Sequence, residues 1–184
     1  GVQTCALPIS AYVPLLRRSY ELWRELQSGF GEQLLHITGS IDASEPDGEV
    51  FSGSLRSCEL HDLPHEVLTG AELAERFPGY RLPDGHAALF QPEGGFVMSE
   101  RAIVAHVLGA IETGATIRAR EAALEWQATA SGVRVRTAKR EYEAEQLVIS
   151  AGAWAGKLVP ELATLAVPER QVLAWFQPRS PELF

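Results

Sequence analysis

The sequence predicts an α/β fold, because stretches with helical spacing of apolar residues alternate along the chain with short β-branched stretches. The 184 residues are 46% hydrophobic and 22% charged, which is the composition of an ordinary globular protein. The longest apolar runs, such as residues 147–149, are far shorter than the roughly 20 residues of a membrane-spanning helix. We therefore expect a globular chain that does not cross or bind a membrane.

The first clear element is an amphipathic helix over residues 12–27, whose apolar face is formed by Leu15, Leu22, Trp23 and Leu26. Residues 34–43 predict one strand that bends or bulges at Gly39. Two shorter helices are expected over residues 49–60 and 71–77.

Between Gly79 and Gly95, prolines and glycines predict loops around a single strand at residues 87–90. A helix follows, with Ser99 as its N-cap and Gly114 after its last turn. Its predicted apolar face consists of Ile103, Val104, Val107, Leu108 and Ile111.

Four short β-stretches follow this helix, and the turn residues between them predict a β-meander; they are residues 116–118, 122–129, 133–137 and 146–149. Leu147, Val148 and Ile149 do not alternate with polar residues. We therefore expect this last strand to be covered on both faces, as in a parallel sheet.

Both ends of the chain carry separate predictions. Residues 1–9 resemble the translation of a sequencing adapter and are predicted to be a scar, although a genuine apolar strand or signal remnant is the alternative. At the other end, a strand-like stretch over residues 171–176 is left without a partner. We therefore predict that the sequence is an internal fragment of a longer protein.

Charge and cysteine content limit the classes of partner. The formal net charge of −8 provides no basic surface for a phosphate backbone, so nucleic acid is not an expected partner. The two cysteines, Cys5 and Cys58, are too few for a disulfide framework or a four-ligand zinc site. This content fits a reducing compartment, and we expect a cytoplasmic location.

Isolated candidate sites have plain structural alternatives. His61 and His65 are four residues apart, as in a metal pair, but Pro64 interrupts the turn and favours exposed loop histidines. Glu141, Glu143 and Glu145 alternate, which is typical of a solvated strand face and also of an acid–base pair. No metal site and no catalytic residue are assigned, and Cys58 receives no role.

One corner of the chain has the features of a ligand site. The stretch 147–149 runs directly into Ser150, Ala151 and Gly152, whose small side chains allow main-chain amides to approach a ligand. A tight strand-to-helix turn that needs small residues for packing is an equal alternative. The residues by themselves leave the two interpretations open.

A family resemblance favours the first interpretation. The sequence is similar to the FAD-dependent amine oxidases of the monomeric sarcosine oxidase and N-methyl-L-tryptophan oxidase group, within the D-amino-acid-oxidase-like superfamily. The phrases that carry this likeness are Tyr12-Val13-Pro14-Leu15, Glu21-Leu22-Trp23, Thr38-Gly39-Ser40-Ile41, Arg76-Phe77-Pro78-Gly79, Phe90-Gln91-Pro92-Glu93-Gly94-Gly95, residues 147–154 and Arg170-Gln171-Val172. The resemblance implies a fragment of a FAD/NAD(P)-binding, Rossmann-like domain interleaved with a mainly antiparallel-sheet substrate domain.

The resemblance also implies a domain division and a set of cofactor contacts. Residues 10–35 and 98–165 would belong to the FAD-binding domain, and residues 36–97 and 166–184 to the substrate domain. The main chain of Ala122 and Ala123 would contact the adenine end of FAD. Ser150, Ala151 and Gly152 would line its phosphate and ribose side, with Trp154 packed beside them.

The implied activity belongs to the full-length parent protein. It is oxidation of the C–N bond of a secondary amine or N-methyl amino acid, of the sarcosine or N-methyltryptophan type, with FAD as cofactor and oxygen as acceptor. The fragment alone is expected to be inactive, and its oligomeric state is left open. The alternatives are another oxidase or dehydrogenase of the same superfamily, and a noncatalytic small binding module.

Overall fold

The structure is a computed structural model that describes residues 10–170, 172, 174 and 176–183. The described residues divide into two compact units, with the boundary between Ala115 and Thr116. The smaller unit is Thr116–Phe176, and Gln177–Phe184 belongs with the larger one. The predicted scar over residues 1–9 lies outside the described residues, as do alternate residues of the strand predicted over 171–176, including Gln171 of a resemblance phrase.

The first helix, α1 (Val13–Phe30), confirms the prediction and extends it by three residues. A 3-10 turn at Ser10–Tyr12 precedes it, and it ends where Gly31 adopts a left-handed φ of 77°. The predicted apolar face is only partly correct, because Leu15 and Leu22 are 66% and 48% exposed. Trp23 of the predicted face does pack inward: it contacts a buried cluster together with Tyr20, and Val13 is also buried.

The predicted bent strand is two strands in two different sheets. β1 (Leu35–Ile37) and β2 (Ser40–Ser44) are separated at Gly39, whose φ is 79°. A Cβ atom on Gly39 would lie 2.6 Å from the Phe90 ring, so both conformation and space require glycine there. The chain therefore changes sheets at this residue.

The larger unit is built around a three-stranded antiparallel sheet flanked by two helices. Its strand order is β2, β4 (Ala87–Gln91), β3 (Glu66–Thr69), and the helices are α2 (Glu49–His61) and α3 (Gly70–Arg76). Phe90 and Ala88 pack with α3 residues, whereas Leu89 packs with α2 residues, because successive strand residues point to opposite faces. The two helices and β4 confirm their predictions to within one residue.

Two short strands escaped the sequence analysis. Only Leu68 of the four residues in β3 is buried. The other strand, β5 (Gly95–Val97), pairs antiparallel with β1 but is only three residues long. Such short stretches carry too little alternation to predict a strand.

The next helix, α4 (Ser99–Glu112), forms as predicted, but its details differ. Met98 is the N-cap residue and makes no side-chain cap hydrogen bond, so Ser99 lies inside the first turn. Gly114 follows the helix with φ 92°, in agreement with its predicted position. The predicted apolar face is wrong: the small residues Ala102 and Ala105 make the buried contacts, whereas its large side chains remain substantially exposed, among them Ile103, Val104, Leu108 and Ile111.

The smaller unit is an antiparallel meander of β6 (Ala123–Thr129), β7 (Gly132–Thr137) and β8 (Glu141–Ala144). It confirms the meander but not all of its predicted strands, since residues 116–118 and 146–149 are not strands. Every ladder among the described residues is antiparallel, and Val148 is 88% exposed. The expected parallel strand at 147–149 is therefore absent here, because no described strand lies in position to pair with it.

The chain then forms a 3-10 turn at Gly152–Trp154, the one-turn helix α5 (Ala155–Leu158) and a second 3-10 turn at Pro160–Leu162. Another short 3-10 turn, Pro181–Leu183, belongs to the larger unit. None of the helices in the described part of the chain is long and apolar enough to cross a membrane.

The core of the larger unit supports a stability prediction. Leu73→Ala should lower the free energy of unfolding by about 2–5 kcal/mol, because Leu73 is 0% exposed and its truncation leaves a cavity beside Leu68 and Phe90. Leu60→Ala is the control, since Leu60 is 64% exposed. Urea unfolding of the chain measures both; equal losses for the two variants would contradict the assignment of this core.

Candidate functional site

The corner predicted to contact a ligand borders a cavity in the smaller unit. The cavity has a volume of about 270 Å³ and lies between β6 and residues 147–151. Three of the six predicted site residues line it together: Ala123, Ser150 and Ala151. Ala122 precedes Ala123 in the chain, and Gly152 and Trp154 follow Ala151, although these three are not part of the cavity wall.

Gly152 gives the corner its backbone shape. Its φ is 53°, in the left-handed region, and no heavy atom lies within 4 Å of the position that a Cβ atom would occupy. The small residue is therefore needed for conformation and not for packing, which argues against the packing alternative at this position. The main-chain N–H of Trp154 donates a hydrogen bond to the Ala151 carbonyl over 3.0 Å, while the Trp154 side chain is 64% exposed.

The opposite wall begins with a β-bulge. Ala123 pairs with Thr137, but the next pair along the ladder is Glu125 with Arg136, so Leu124 is an extra residue. The Ala122 carbonyl accepts a hydrogen bond from the Ala138 N–H over 3.0 Å. A bulge interrupts the regular ladder and bends the strand, here beside the β6 residues that line the cavity.

Trp126 is a site residue that the sequence analysis missed. It lines the cavity, and its indole Nε1 donates a hydrogen bond to the Leu158 carbonyl over 2.8 Å. This bond ties the middle of β6 to the end of α5. Its acceptor is a main-chain oxygen 32 residues away, so no local pattern in the sequence could reveal it.

Glu121, immediately before the Ala122–Ala123 pair, has a side chain that is only 4% exposed. Its carboxylate accepts hydrogen bonds from Thr137 Oγ1 (2.7 Å) and Tyr142 Oη (2.9 Å), and Arg140 Nε lies 4.0 Å away. The bond from Thr137 holds the pKa of Glu121 below its ordinary value, with further lowering by Tyr142 and Arg140. Burial and the neighbouring carboxylate raise the pKa of Tyr142.

A larger groove, of about 520 Å³, lies in the larger unit. It runs between α1 and the turn at Glu93 and Gly94, and its wall includes Arg17 and Arg24. Tyr20 Oη donates a hydrogen bond across it to the Glu93 carbonyl over 2.9 Å. None of the six predicted site residues lines this groove, so size alone does not identify the candidate site.

The isolated candidates are structural in this fold. His61 is the last residue of α2 and His65 Nδ1 lies 2.8 Å from the Leu63 carbonyl; both are half-buried, so the expectation of exposed loop histidines is wrong. Within the described ranges, no three His, Cys, Asp or Glu side chains are grouped closely enough to hold a metal ion. Burial raises the pKa of the Cys58 thiol, whose Sγ accepts a hydrogen bond from Gln91 Nε2.

The alternating glutamates form a solvated strand face, as one of the two interpretations predicted. Glu141 and Glu143 are exposed on β8, and Tyr142 between them is half-buried. Glu143 makes an ion pair with Arg134 over 2.6 Å across the ladder. Exposed pairs of this kind contribute little to stability, and nothing about their geometry indicates acid–base chemistry.

Comparisons with known proteins identify the relatives of this sequence. A family model described as FAD dependent oxidoreductase matches residues 2–183. The chain is 41% identical over 169 residues to the monomeric sarcosine oxidase of Streptomyces avermitilis. The aligned region covers 92% of this chain and 44% of that protein. It is also 33% identical over 167 residues to the N-methyl-L-tryptophan oxidase of Yersinia pestis, and this alignment covers 90% of this chain and 44% of that protein. The chain therefore spans less than half the length of these curated relatives.

Solved structures show the same fold. NikD, an unusual amino acid oxidase essential for nikkomycin biosynthesis, matches in its open form with a TM-score of 0.72 and 29% identity, over 82% of this chain and 39% of that chain. Glycine oxidase from Geobacillus kaustophilus matches with a TM-score of 0.71 at 24% identity, over 89% of this chain and 46% of that chain. At 24% identity, the likeness to glycine oxidase shows the fold alone.

The hydrogen bonds of Glu121 give a pH-dependent prediction. Because its pKa is lowered in the folded state, its ionisation stabilises the fold above the unfolded-state pKa of about 4.3, and this contribution is lost as the pH falls through the lower folded-state value. Glu121→Gln should therefore destabilise the chain at pH 7, and the difference from wild type should shrink towards pH 3. Urea midpoints at pH 7, 5 and 3 test this.

The exposed residue Glu145 provides the matched control, because Glu145→Gln removes the same charge at a position outside this hydrogen-bonded group. A Glu121→Gln difference that stays constant across the pH range would contradict the prediction.

Proposed function

The chain belongs to the FAD dependent oxidoreductase family, and we propose that it is part of an enzyme that oxidises the C–N bond of a secondary amine or N-methyl amino acid. The observation that carries this proposal is the 41% identity to a monomeric sarcosine oxidase over 92% of the chain. When bound, FAD would be the first acceptor of the electrons from the substrate, and oxygen is the proposed final acceptor. The substrate would become an imine, which water hydrolyses.

The candidate site suits one end of an extended dinucleotide. Its volume of about 270 Å³ is slightly below the range of roughly 300–1,000 Å³ that is typical of small-molecule pockets. Residues of β6 line it on one side, and residues 147–151, directly before the Gly152 corner, line it on the other. The residues present therefore fit a part of FAD, and other segments of the parent protein would hold the rest.

The proposed contacts follow the family resemblance. The main chain of Ala122 and Ala123 would hold the adenine end of FAD, while Ser150, Ala151 and Gly152 would line its phosphate and ribose side. Trp154 would pack beside this corner. The one-turn helix α5 is too short to contribute a substantial helix dipole, so the binding energy would come from individual amides and from exclusion of water.

We also propose the interleaved domain division, with residues 10–35 and 98–165 in the FAD-binding domain. Its support is a shared core cluster: Leu35, Val97 and Ala102 are buried together, and Tyr20 and Trp23 pack against them. This cluster joins α1 to α4 across 68 intervening residues, 31–98. Most of residues 36–97 instead build the sheet of β2, β4 and β3, which fits a separate substrate domain. The assignment of residues 166–184 to the same domain follows the family resemblance alone.

The other proposals concern the parent protein as a whole. Its substrate would be a small amino acid or amine, as the names of the relatives indicate for those proteins. A cytoplasmic location is supported by cysteine usage, since Cys58 is a free, buried thiol. A dehydrogenase of the same superfamily is the second candidate, because a shared fold does not determine which electron acceptor reoxidises the flavin.

The activity is tested on the purified full-length parent. Sarcosine and N-methyl-L-tryptophan should bleach the flavin absorbance without oxygen and release hydrogen peroxide in air, with glycine and L-proline as comparison substrates. Bleaching without peroxide would support the dehydrogenase instead. A full-length protein that binds no flavin would overturn the proposal.

The cofactor contact is tested at Gly152. Gly152→Ala in the parent should weaken FAD binding about tenfold, because a left-handed φ costs a residue with a Cβ atom roughly 1–2 kcal/mol. Gly109→Ala is the matched control: Gly109 lies inside α4, has open space around its Cβ position and has no positive φ. FAD titration of the two apoproteins compares them, and equal affinities would count against the corner as a cofactor contact.

A further inference from the structure

Arg120 has an unusual backbone conformation next to the candidate site. Its φ is 54°, and among the described residues only Asp62 is another non-glycine residue with positive φ. Asp62 caps the C-terminus of α2, where a left-handed residue is common. Arg120 caps no helix and lies in the loop before β6, so its conformation needs support from its surroundings.

The side chain of the next residue, Glu121, is held in place by hydrogen bonds. Its nearly buried carboxylate bonds to Thr137 at the end of β7 and to Tyr142 in the middle of β8, so it anchors the loop to two strands. Thr137 Oγ1 also accepts bonds from the main-chain N–H groups of Lys139 and Arg140, at 3.1 and 3.0 Å. Its single proton points to Glu121 or to the Arg140 carbonyl, which lies 2.8 Å away.

The main chain that follows is irregular in the same place. The Ala122 carbonyl bonds to the Ala138 N–H, and the bulge at Leu124 comes directly afterwards. A site built from main-chain groups cannot be adjusted by changing its own side chains. The orientation of these groups depends on neighbouring residues that fix the backbone.

We propose that Glu121 is a positioning residue: its carboxylate, held by Thr137 and Tyr142, fixes the left-handed turn at Arg120 and so directs the main chain of Ala122 and Ala123 towards the adenosine end of the cofactor. This inference rests on the proposed function, because the ligand it assumes is FAD. It does not make Glu121 a contact residue. The carboxylate acts through the backbone that follows it.

The test compares two flavins in the full-length parent protein. FMN lacks the adenosine end of FAD, so a residue that positions the adenosine contact should affect only FAD. Glu121→Ala removes both hydrogen bonds that hold the loop. It should weaken FAD binding about tenfold, which is the scale of a hydrogen bond to a charged group, and should leave FMN binding unchanged. Titration of the apoprotein by flavin fluorescence measures both dissociation constants.

Two further variants keep the test decisive. Tyr142→Phe removes one hydrogen bond from the carboxylate with little change in volume, and it should show a smaller loss of the same FAD-specific kind if Glu121→Ala does not fold. Glu143→Gln, exposed on the same strand, should leave both affinities unchanged.

The outcomes separate the two proposals. Equal losses for FAD and FMN would show that Glu121 serves general stability, and unchanged FAD affinity would show that it does not position the site; each result overturns the inference. A wild-type parent that binds neither flavin would instead overturn the proposed function.

Discussion

Backbone conformation at two points of the smaller unit is the constraint on which its candidate site depends. Gly152 and Arg120 both have left-handed φ values, of 53° and 54°. Arg120 lies shortly before the β6 residues that line the cavity, and Gly152 directly follows the lining segment of residues 147–151. At Gly152 the energetic cost of a left-handed backbone conformation is avoided, because glycine has no Cβ atom. At Arg120 it must be offset by neighbouring interactions, and we assign this role to the part-buried hydrogen bonds of Glu121.

The larger unit has a different organisation, in which strand alternation distributes two helices over two faces. Leu89 contacts the α2 side of the sheet and Phe90 the α3 side, so a five-residue strand supplies the centre of both cores. A separate cluster joins α1 to α4 through Leu35 and Ala102. Segments far apart in sequence therefore share one core, which is the arrangement expected if the chain passes out of one domain and back into it.

Sequence patterns predicted the elements whose cause is local and missed those whose cause is distant. α1 and α4 follow from apolar spacing, and β4 follows from an apolar run between turns. Residues 147–149 have the composition of a buried strand, yet strand formation needs hydrogen-bonding neighbours that the described residues do not provide. Likewise, helical spacing identified apolar stripes on α4 but could not show that Ala102 and Ala105 would make its contacts.

The candidate site shows the same division. Its small residues and the family resemblance identified the corner at Ser150 to Gly152, because both are visible along the sequence. Trp126 and Glu121 were missed, since their partners lie 32 and 16 to 21 residues away. Trp126 and Glu121 differ in role, however: the first borders the cavity directly, and the second is significant only because of a backbone angle, which composition cannot reveal.

The net charge of −8 raises the question of how such a chain could hold an anionic dinucleotide. The carboxylates nearest the cavity are engaged: Glu125, which lines it, pairs with Arg136 over 2.6 Å, and Glu121 accepts two hydrogen bonds. The bond from Arg136 lowers the pKa of Glu125, so this pair stays ionised and neutral overall. Because charges separated by more than about 8–10 Å are largely screened at physiological salt, the remaining acidic surface has little effect there. The local field at the cavity is therefore set by paired groups and main-chain dipoles, and an acidic chain is compatible with an anionic cofactor.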